Sequence, residues 1–218
     1  MDRPGPPSPL FSDVRAARRV RVAIIALVIV GVGAQTVQRA DPTLSLLYFT
    51  VLSALLCGIA QIGLLAGRSN RFWEPVRDAA CGSLCISMLV YLTVLLPLQP
   101  LSAADGAMAW IGALCLHVPL PVLAVVDFLR SPRVRPLRHA DAVTLWPVPA
   151  VVYVVVMVAL AVTGVGEPPY DFLRPGLGGW PLVILSCSAI SLVLVVIGLV
   201  LVRARLFLDS RALAPDRP

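Results

Sequence analysis

Residues 175–202 read PGLGGWPLVILSCSAISLVLVVIGLVLV and contain no charged side chain. A helix needs about 20 apolar residues to cross the hydrocarbon core of a bilayer, and this stretch exceeds that length. Five other uncharged runs precede it, at 22–38, 42–67, 79–104, 106–126 and 142–166. They lack the polar and apolar alternation of barrel strands, so all six runs are predicted to be transmembrane helices.

The composition of the whole chain agrees with a membrane protein. Of its 218 residues, 58% are hydrophobic and 14% are charged, whereas soluble domains have about 45–50% and about 25%. The mean hydropathy is +0.88. The 18 basic residues are all arginines and lie beside the apolar runs, where arginines determine topology. The net charge of +6 therefore does not predict a nucleic-acid partner.

The distribution of the arginines predicts the orientation. Sixteen of the 18 fall in the N-terminus, the second and fourth loops and the C-terminal tail, and only Arg39 and Arg174 fall on the other side. This bias places both termini in the cytoplasm. The predicted fold is an all-α integral membrane protein with six transmembrane helices, in a bacterial cytoplasmic membrane. Its helices span about 20–38, 43–67, 79–99, 107–129, 142–164 and 178–203.

The ends of the chain are predicted to lie outside this domain, which covers 15–206. Residues 1–14 are rich in proline and are expected to be disordered, and 207–218 form a cytoplasmic tail. The first apolar run also loosely resembles a signal peptide, with VGA at 32–34 as a cleavage site. An uncleaved anchor is favoured because the preceding region is long and rich in proline.

Ionisable side chains inside a span are costly and so mark candidate functional positions. His117 is the only histidine within a run, in the sequence LHVPLP at 116–121. Each proline frees a backbone carbonyl one turn earlier, so the helix is predicted to kink beside the imidazole. A single interhelical hydrogen bond is the structural alternative for His117. Asp127, by contrast, is expected to be an exposed charge at the inner end of the fourth helix.

Thr50 is predicted to lie at a depth similar to that of His117. It follows Pro42 by about 8 residues, or roughly 12 Å of helix, and His117 follows Gly106 by about 10 residues, or roughly 15 Å. Both helices run from outside to inside, so the two side chains can meet if the helices are neighbours. A neutral imidazole can activate a threonine hydroxyl for attack on an ester carbonyl. The alternative for Thr50 is a hydrogen bond to the carbonyl four residues earlier.

Several short motifs resemble the androgen-induced membrane protein family. They are YFT at 48–50, His117 with its prolines, Tyr153 in the fifth run and PYDF at 169–172. The resemblance covers most of residues 44–205. It implies a multi-pass membrane hydrolase that cleaves fatty acid esters of hydroxy fatty acids, with Thr50 as nucleophile and His117 as the second catalytic residue. The run VLSA that follows Thr50 departs from the more polar run of many bacterial relatives.

The predicted function is therefore a threonine-dependent hydrolase of lipid or fatty acyl esters, embedded in the bilayer and needing no metal or cofactor. Tyr91 and Tyr153 are candidates for stabilising the oxyanion.

Five cysteines without metal-ligand spacing are interpreted as packing residues. The alternatives are a small transporter or channel, a scaffold and a haem-binding bundle, which would need a second ligand beside His117. The sequence predicts no oligomeric state.

Overall fold

The computed structural model describes residues 14–38, 42–67, 70–98, 100–102 and 105–213, and this part of the chain contains helices and no strands. In chain order the α-helices are α1 (Val14–Val37), α2 (Phe49–Leu65), α3 (Asn70–Val90), α4 (Leu96–Leu98), α5 (Gly106–His117), α6 (Pro119–Arg130), α7 (His139–Thr144), α8 (Val148–Thr163) and α9 (Pro175–Leu213). Short 3-10 helices occupy Pro42–Leu47 and Asp171–Leu173, and a π-helical turn occupies Tyr91–Leu95. The predicted disordered segment 1–14 lies outside the described residues except for Val14.

Within the described residues, five helical stretches are long and apolar enough to cross a membrane. They are Val14–Val37, Arg71–Leu98, Gly106–Arg130, His139–Thr163 and Pro175–Arg211. The helix α2 is apolar but has only 17 residues, because the residues before it form the 3-10 helix. Many large apolar side chains are exposed, including Val151, Val152 and Val155 of α8. These features are compatible with a multi-pass membrane protein.

The predicted kink in the fourth span is confirmed. The helix α5 ends at His117 and α6 begins at Pro119, and Val118 between them has φ −124° and ψ −76°. The fifth span is also interrupted, between α7 and α8. Near the start of α9, Gly179 has φ 71° and ψ 169°, so the helix is kinked there. A positive φ is costly for any residue other than glycine.

Several helices extend beyond the predicted spans. The helix α3 begins at Asn70 rather than 79, α1 begins at Val14 rather than 20, and α9 continues to Leu213 rather than 203. The predictions ended the helices where charges begin. Charged residues in these segments are nevertheless helical, because helices can continue beyond the hydrocarbon core and because buried charges can be paired.

Close contact between α1 and α5 positions His117. A Cβ added at Gly31 of α1 would lie 2.6 Å from Cδ2 of Leu116, the residue before His117. On α5, a Cβ at Gly112 would lie 3.1 Å from Oε1 of Gln35. Small residues allow helix backbones to approach closely in this way. Leu116 is 1% exposed, so this contact fixes the end of α5.

A buried ionic cluster joins α1, α2, α3 and α6 at the end of the bundle away from His117. Its centre is Asp127, which is fully buried. The Asp127 carboxylate accepts hydrogen bonds from Gln61 at 3.1 Å and Ser131 at 2.5 Å, and it pairs with Arg77 at 3.7 Å and Arg21 at 3.5 Å. The expectation that Asp127 is an exposed helix-end charge is therefore wrong, because these partners replace its water.

The same end of the bundle is fastened by a second set of polar contacts. Asp78 pairs with Arg77 and Arg133. The Glu74 carboxylate accepts hydrogen bonds from the backbone N–H groups of Val134 and Arg135, at 2.7 and 3.0 Å. These contacts connect α3 to the loop that follows α6, and they explain why α3 extends into a charged segment.

Candidate functional site

Thr50 lies in the first turn of α2, where the chain leaves the 3-10 helix through an extended Tyr48 with φ −86° and ψ 128°. Its side chain is 6% exposed. The first N–H groups of a helix lack acceptors within the helix, and they carry partial positive charge. Thr50 is thus buried at the positive end of the α2 dipole.

His117 is the last residue of α5 and is 8% exposed. Its Nδ1 is buried and has no hydrogen-bond partner among the described residues. The ring of Tyr91 stacks on the imidazole, with centroids 3.8 Å apart and planes inclined by 6°. The stack fixes the plane of the imidazole and leaves a nitrogen free to accept a proton.

Ser87 of α3 connects these two residues. Its Oγ lies 2.5 Å from Oγ1 of Thr50, and its backbone interacts with the His117 side chain. Among the described residues, no hydrogen bond joins Thr50 directly to His117. The sequence analysis did not select Ser87. Its position one helical turn before Tyr91 was the available signal, because residues i and i+4 share a helix face.

Thr50 and His117 line the same cavity, which has a volume of about 690 Å³. Tyr91 also lines it, as do Gln35, Gln38, Tyr48, Asp105, Tyr170 and Asp171. We call this space the polar cavity. The structure thus brings together the predicted nucleophile, the predicted base and one of the two predicted oxyanion donors.

Tyr153, the other predicted donor, is placed differently. Its hydroxyl donates a hydrogen bond to the backbone carbonyl of Leu47 at 2.7 Å. It lines a second space of about 190 Å³ together with Thr50, Ser87 and mainly apolar side chains. We call this space the apolar cavity. The Tyr153 hydroxyl proton is therefore already used in holding the 3-10 helix against α8.

Tyr170, from the loop between α8 and α9, approaches Thr50. Its phenol interacts with the side chain of Thr50 and with the backbone of Phe49 and Thr50. Burial of the hydroxyl end raises the pKa of Tyr170 to about 12, although the contact with Thr50 opposes the rise. A phenol with a raised pKa stays protonated at ordinary pH and can donate a hydrogen bond. Sequence analysis used Tyr170 only as part of the PYDF motif.

The described residues contain no group of three or more His, Cys, Asp or Glu side chains that could hold a metal ion. Their five cysteines are free thiols, three of them buried. The polar cavity presents hydroxyl, phenol, imidazole, amide and carboxylate groups. Together they provide a nucleophile, a base and a hydrogen-bond donor within a largely buried site.

No family model matches the sequence, and neither a curated protein nor a solved structure is similar to it. The resemblance to the androgen-induced membrane proteins therefore stays a prediction based on short motifs. The geometry of the cavity provides an independent basis for considering function.

Proposed function

We propose that the protein is a membrane-embedded, threonine-dependent hydrolase of lipid or fatty acyl esters. The observation that carries the proposal is that Thr50 and His117 line one cavity and that Ser87 contacts both. A hydroxyl that is activated by a nearby base is the usual arrangement for nucleophilic acyl transfer.

In the proposed reaction, Oγ1 of Thr50 attacks the ester carbonyl carbon. The Thr50 proton passes to His117, which then gives it to the leaving alcohol as the carbon–oxygen bond breaks. Water next attacks the acyl-threonine with His117 as base, releasing the acid and restoring Thr50. The hydrogen bond between Thr50 and Ser87 keeps the nucleophile oriented before substrate binds.

We assign stabilisation of the oxyanion to Tyr170. Its phenol is next to Thr50, and its raised pKa keeps the proton available. The first N–H groups of α2 add partial positive charge at the same place. Tyr91 is better suited to orienting His117, because its ring stacks on the imidazole.

The proposal includes six crossings with both termini in the cytoplasm. At 1.5 Å per residue, α2 has a length of roughly 26 Å, which is close to the hydrocarbon thickness of about 30 Å. The polar cavity is lined by Gln38, Asp105 and Asp171, from segments that the arginine distribution places outside. These features support a site in the outer half of a bacterial cytoplasmic membrane, where lipids are the available esters.

Labelling with a fluorophosphonate tests the mechanism. The purified protein should form a covalent adduct on Thr50, and Thr50→Ala and His117→Ala should both lose it. Hydrolysis of long-chain esters should fall by about 10²–10⁴-fold in His117→Ala. Thr93→Ala is the matched control, because Thr93 is exposed and its hydroxyl bonds to the Leu89 carbonyl. Full hydrolysis by Thr50→Ala, or an adduct on Ser87, would contradict the assignment of Thr50.

A further inference from the structure

Thr50 stands between the polar and the apolar cavity and lines both. His117 lines the polar cavity, and Ser87 lines the apolar one. Tyr170 and Phe172 also contribute to both. An ester whose carbonyl lies at Thr50 would therefore place its acyl part in one cavity and its alcohol part in the other. The residues that line each cavity determine which part fits there.

The apolar cavity is suited to an acyl chain. Its lining includes Ile86, Val90, Ala150 and Ile190, and the Tyr153 hydroxyl is turned to the Leu47 carbonyl. Val155 lines it and is 62% exposed on α8, so the cavity reaches the lipid-facing surface.

The polar cavity is suited to an alcohol with several hydroxyl groups. Two amides and a carboxylate line it, from Gln35, Gln38 and Asp105, and such groups pair with hydroxyls; Asp105 already accepts hydrogen bonds from Ser102 through Oδ2. An apolar alcohol part would cover such groups without pairing them, which is costly. Among the described residues that line it, two are aspartates and none is an arginine. Asp171 is paired with Arg174 at 3.6 Å, so the Asp105 carboxylate, which accepts hydrogen bonds from Ser102, is the lining charge that disfavours an anionic headgroup such as a phosphate.

We infer that the substrate is a fatty acyl ester of a small, uncharged polyol, with the acyl chain in the apolar cavity and the polyol in the polar cavity. The inference rests on the proposed function. Attack by Thr50 forms the acyl-threonine and breaks the ester carbon–oxygen bond. The polyol leaves with the proton delivered by His117, and water then releases the fatty acid.

Cys187 provides a test of binding that does not depend on turnover, because its thiol lines the apolar cavity. The probe is 1-O-dodecylglycerol, an ether that presents both parts and cannot be hydrolysed. Maleimide labelling of Cys187 in the full-length protein is followed by peptide mass spectrometry. At about ten times its Kd, the ether should slow the labelling that takes place through the cavity by up to roughly tenfold, because Cys187 lines the occupied space.

Two controls test whether protection of Cys187 comes from the ether bound in both cavities. Cys115 is partly exposed and is not among the residues described as lining either cavity, so its labelling should not change. Dodecane represents only the hydrocarbon chain of the ether and glycerol only its polyol. Each should protect Cys187 less than the ether does at equal concentration. Equal protection by dodecane, or none by the ether, would overturn the inference.

The Thr50→Ala variant separates this inference from the proposed function. Protection of Cys187 in that variant, with no hydrolysis of monododecanoylglycerol by the unmodified protein, would support the binding arrangement and refute the hydrolase. Hydrolysis of simple dodecanoate esters without protection of Cys187 would refute the arrangement and leave the hydrolase intact.

Chain-length selectivity gives a second measurement. Ala150→Leu adds three carbons to the apolar cavity and should lower kcat/KM for dodecanoyl esters at least tenfold relative to butanoyl esters. Val152→Leu is the matched control on the same helix, because Val152 is 56% exposed and is outside the described lining. An equal loss for both chain lengths in Ala150→Leu would contradict placement of the acyl chain there.

Discussion

Thr50 and Tyr170 illustrate how single residues acquire a role from their surroundings. A threonine hydroxyl is a weak nucleophile, and a tyrosine is a common interfacial residue in membrane proteins. Here the threonine is in the first turn of α2, and the phenol from a distant loop meets it. In the proposed hydrolase, this combination would place the nucleophile next to a hydrogen-bond donor for the developing oxyanion.

Tyr170→Phe should lower kcat by about 10²-fold, the cost of removing one oxyanion donor. The unmodified protein should keep a constant rate from about pH 8 to about pH 10. The raised pKa of Tyr170, about 12, means that the phenol loses its proton only at still higher pH. Initial rates against pH, with thermal stability of the variant as a folding control, test this. A fall in the rate of the unmodified protein near pH 10, absent from Tyr170→Phe, would mean that the pKa of Tyr170 is not raised.

At the scale of elements, the break between α5 and α6 shows what sequence can predict. Pro119 and Pro121 lack the N–H groups that a continuous helix requires, so the kink follows from local chemistry alone. The apolar runs are predicted for a similar reason, because length and composition are local properties. The partnership of His117 with Tyr91 and Ser87 depends on which helices pack together, and no local pattern determines that.

Contact between α1 and α5 gives a prediction at this scale. Gly31→Ala should reduce the free energy of unfolding by about 1–3 kcal/mol, because the new methyl group meets the buried Leu116. It should also lower hydrolysis by displacing the neighbouring His117. Equilibrium unfolding in mixed micelles and ester turnover provide the two measurements.

Gly33→Ala is the control for that substitution, because a Cβ at Gly33 has open space within 4 Å. It should leave turnover unchanged and either preserve or slightly increase stability, since alanine favours helix more than glycine does. If Gly31→Ala behaved like Gly33→Ala, close packing of α1 on α5 would not be what fixes the site.

For the whole molecule, the ionic cluster is the feature that sequence reasoning missed. The charge pattern predicts an exposed Asp127 at the inner end of the fourth helix and places Arg77 in the second loop. In the structure Arg77 is 1% exposed and Asp127 fully buried. Their burial depends on partners from four helices, which are far apart in sequence. Only a complete three-dimensional arrangement brings these partners together.

Asp127→Ala should lower the free energy of unfolding by about 3–5 kcal/mol, because it leaves Arg77 buried without its full set of partners. Glu167→Ala removes a carboxylate whose side chain is 79% exposed beside Arg174, and it should cost no more than about 1 kcal/mol. Unfolding in mixed micelles compares the two variants. Equal stability of the two would show that the cluster does not hold the helices together.

Thr50 lies between the polar and the apolar cavity, and this position would determine where each product of the proposed reaction is released. In the proposed orientation, the hydrocarbon half would lie after cleavage on the side that is continuous with lipid, and the hydrophilic half on the side towards the exterior. Each fragment would then diffuse away through a medium in which it dissolves, along a separate route. Dilution of each product into its own medium would lower its concentration at Thr50, and by mass action this would favour net hydrolysis over resynthesis of the ester.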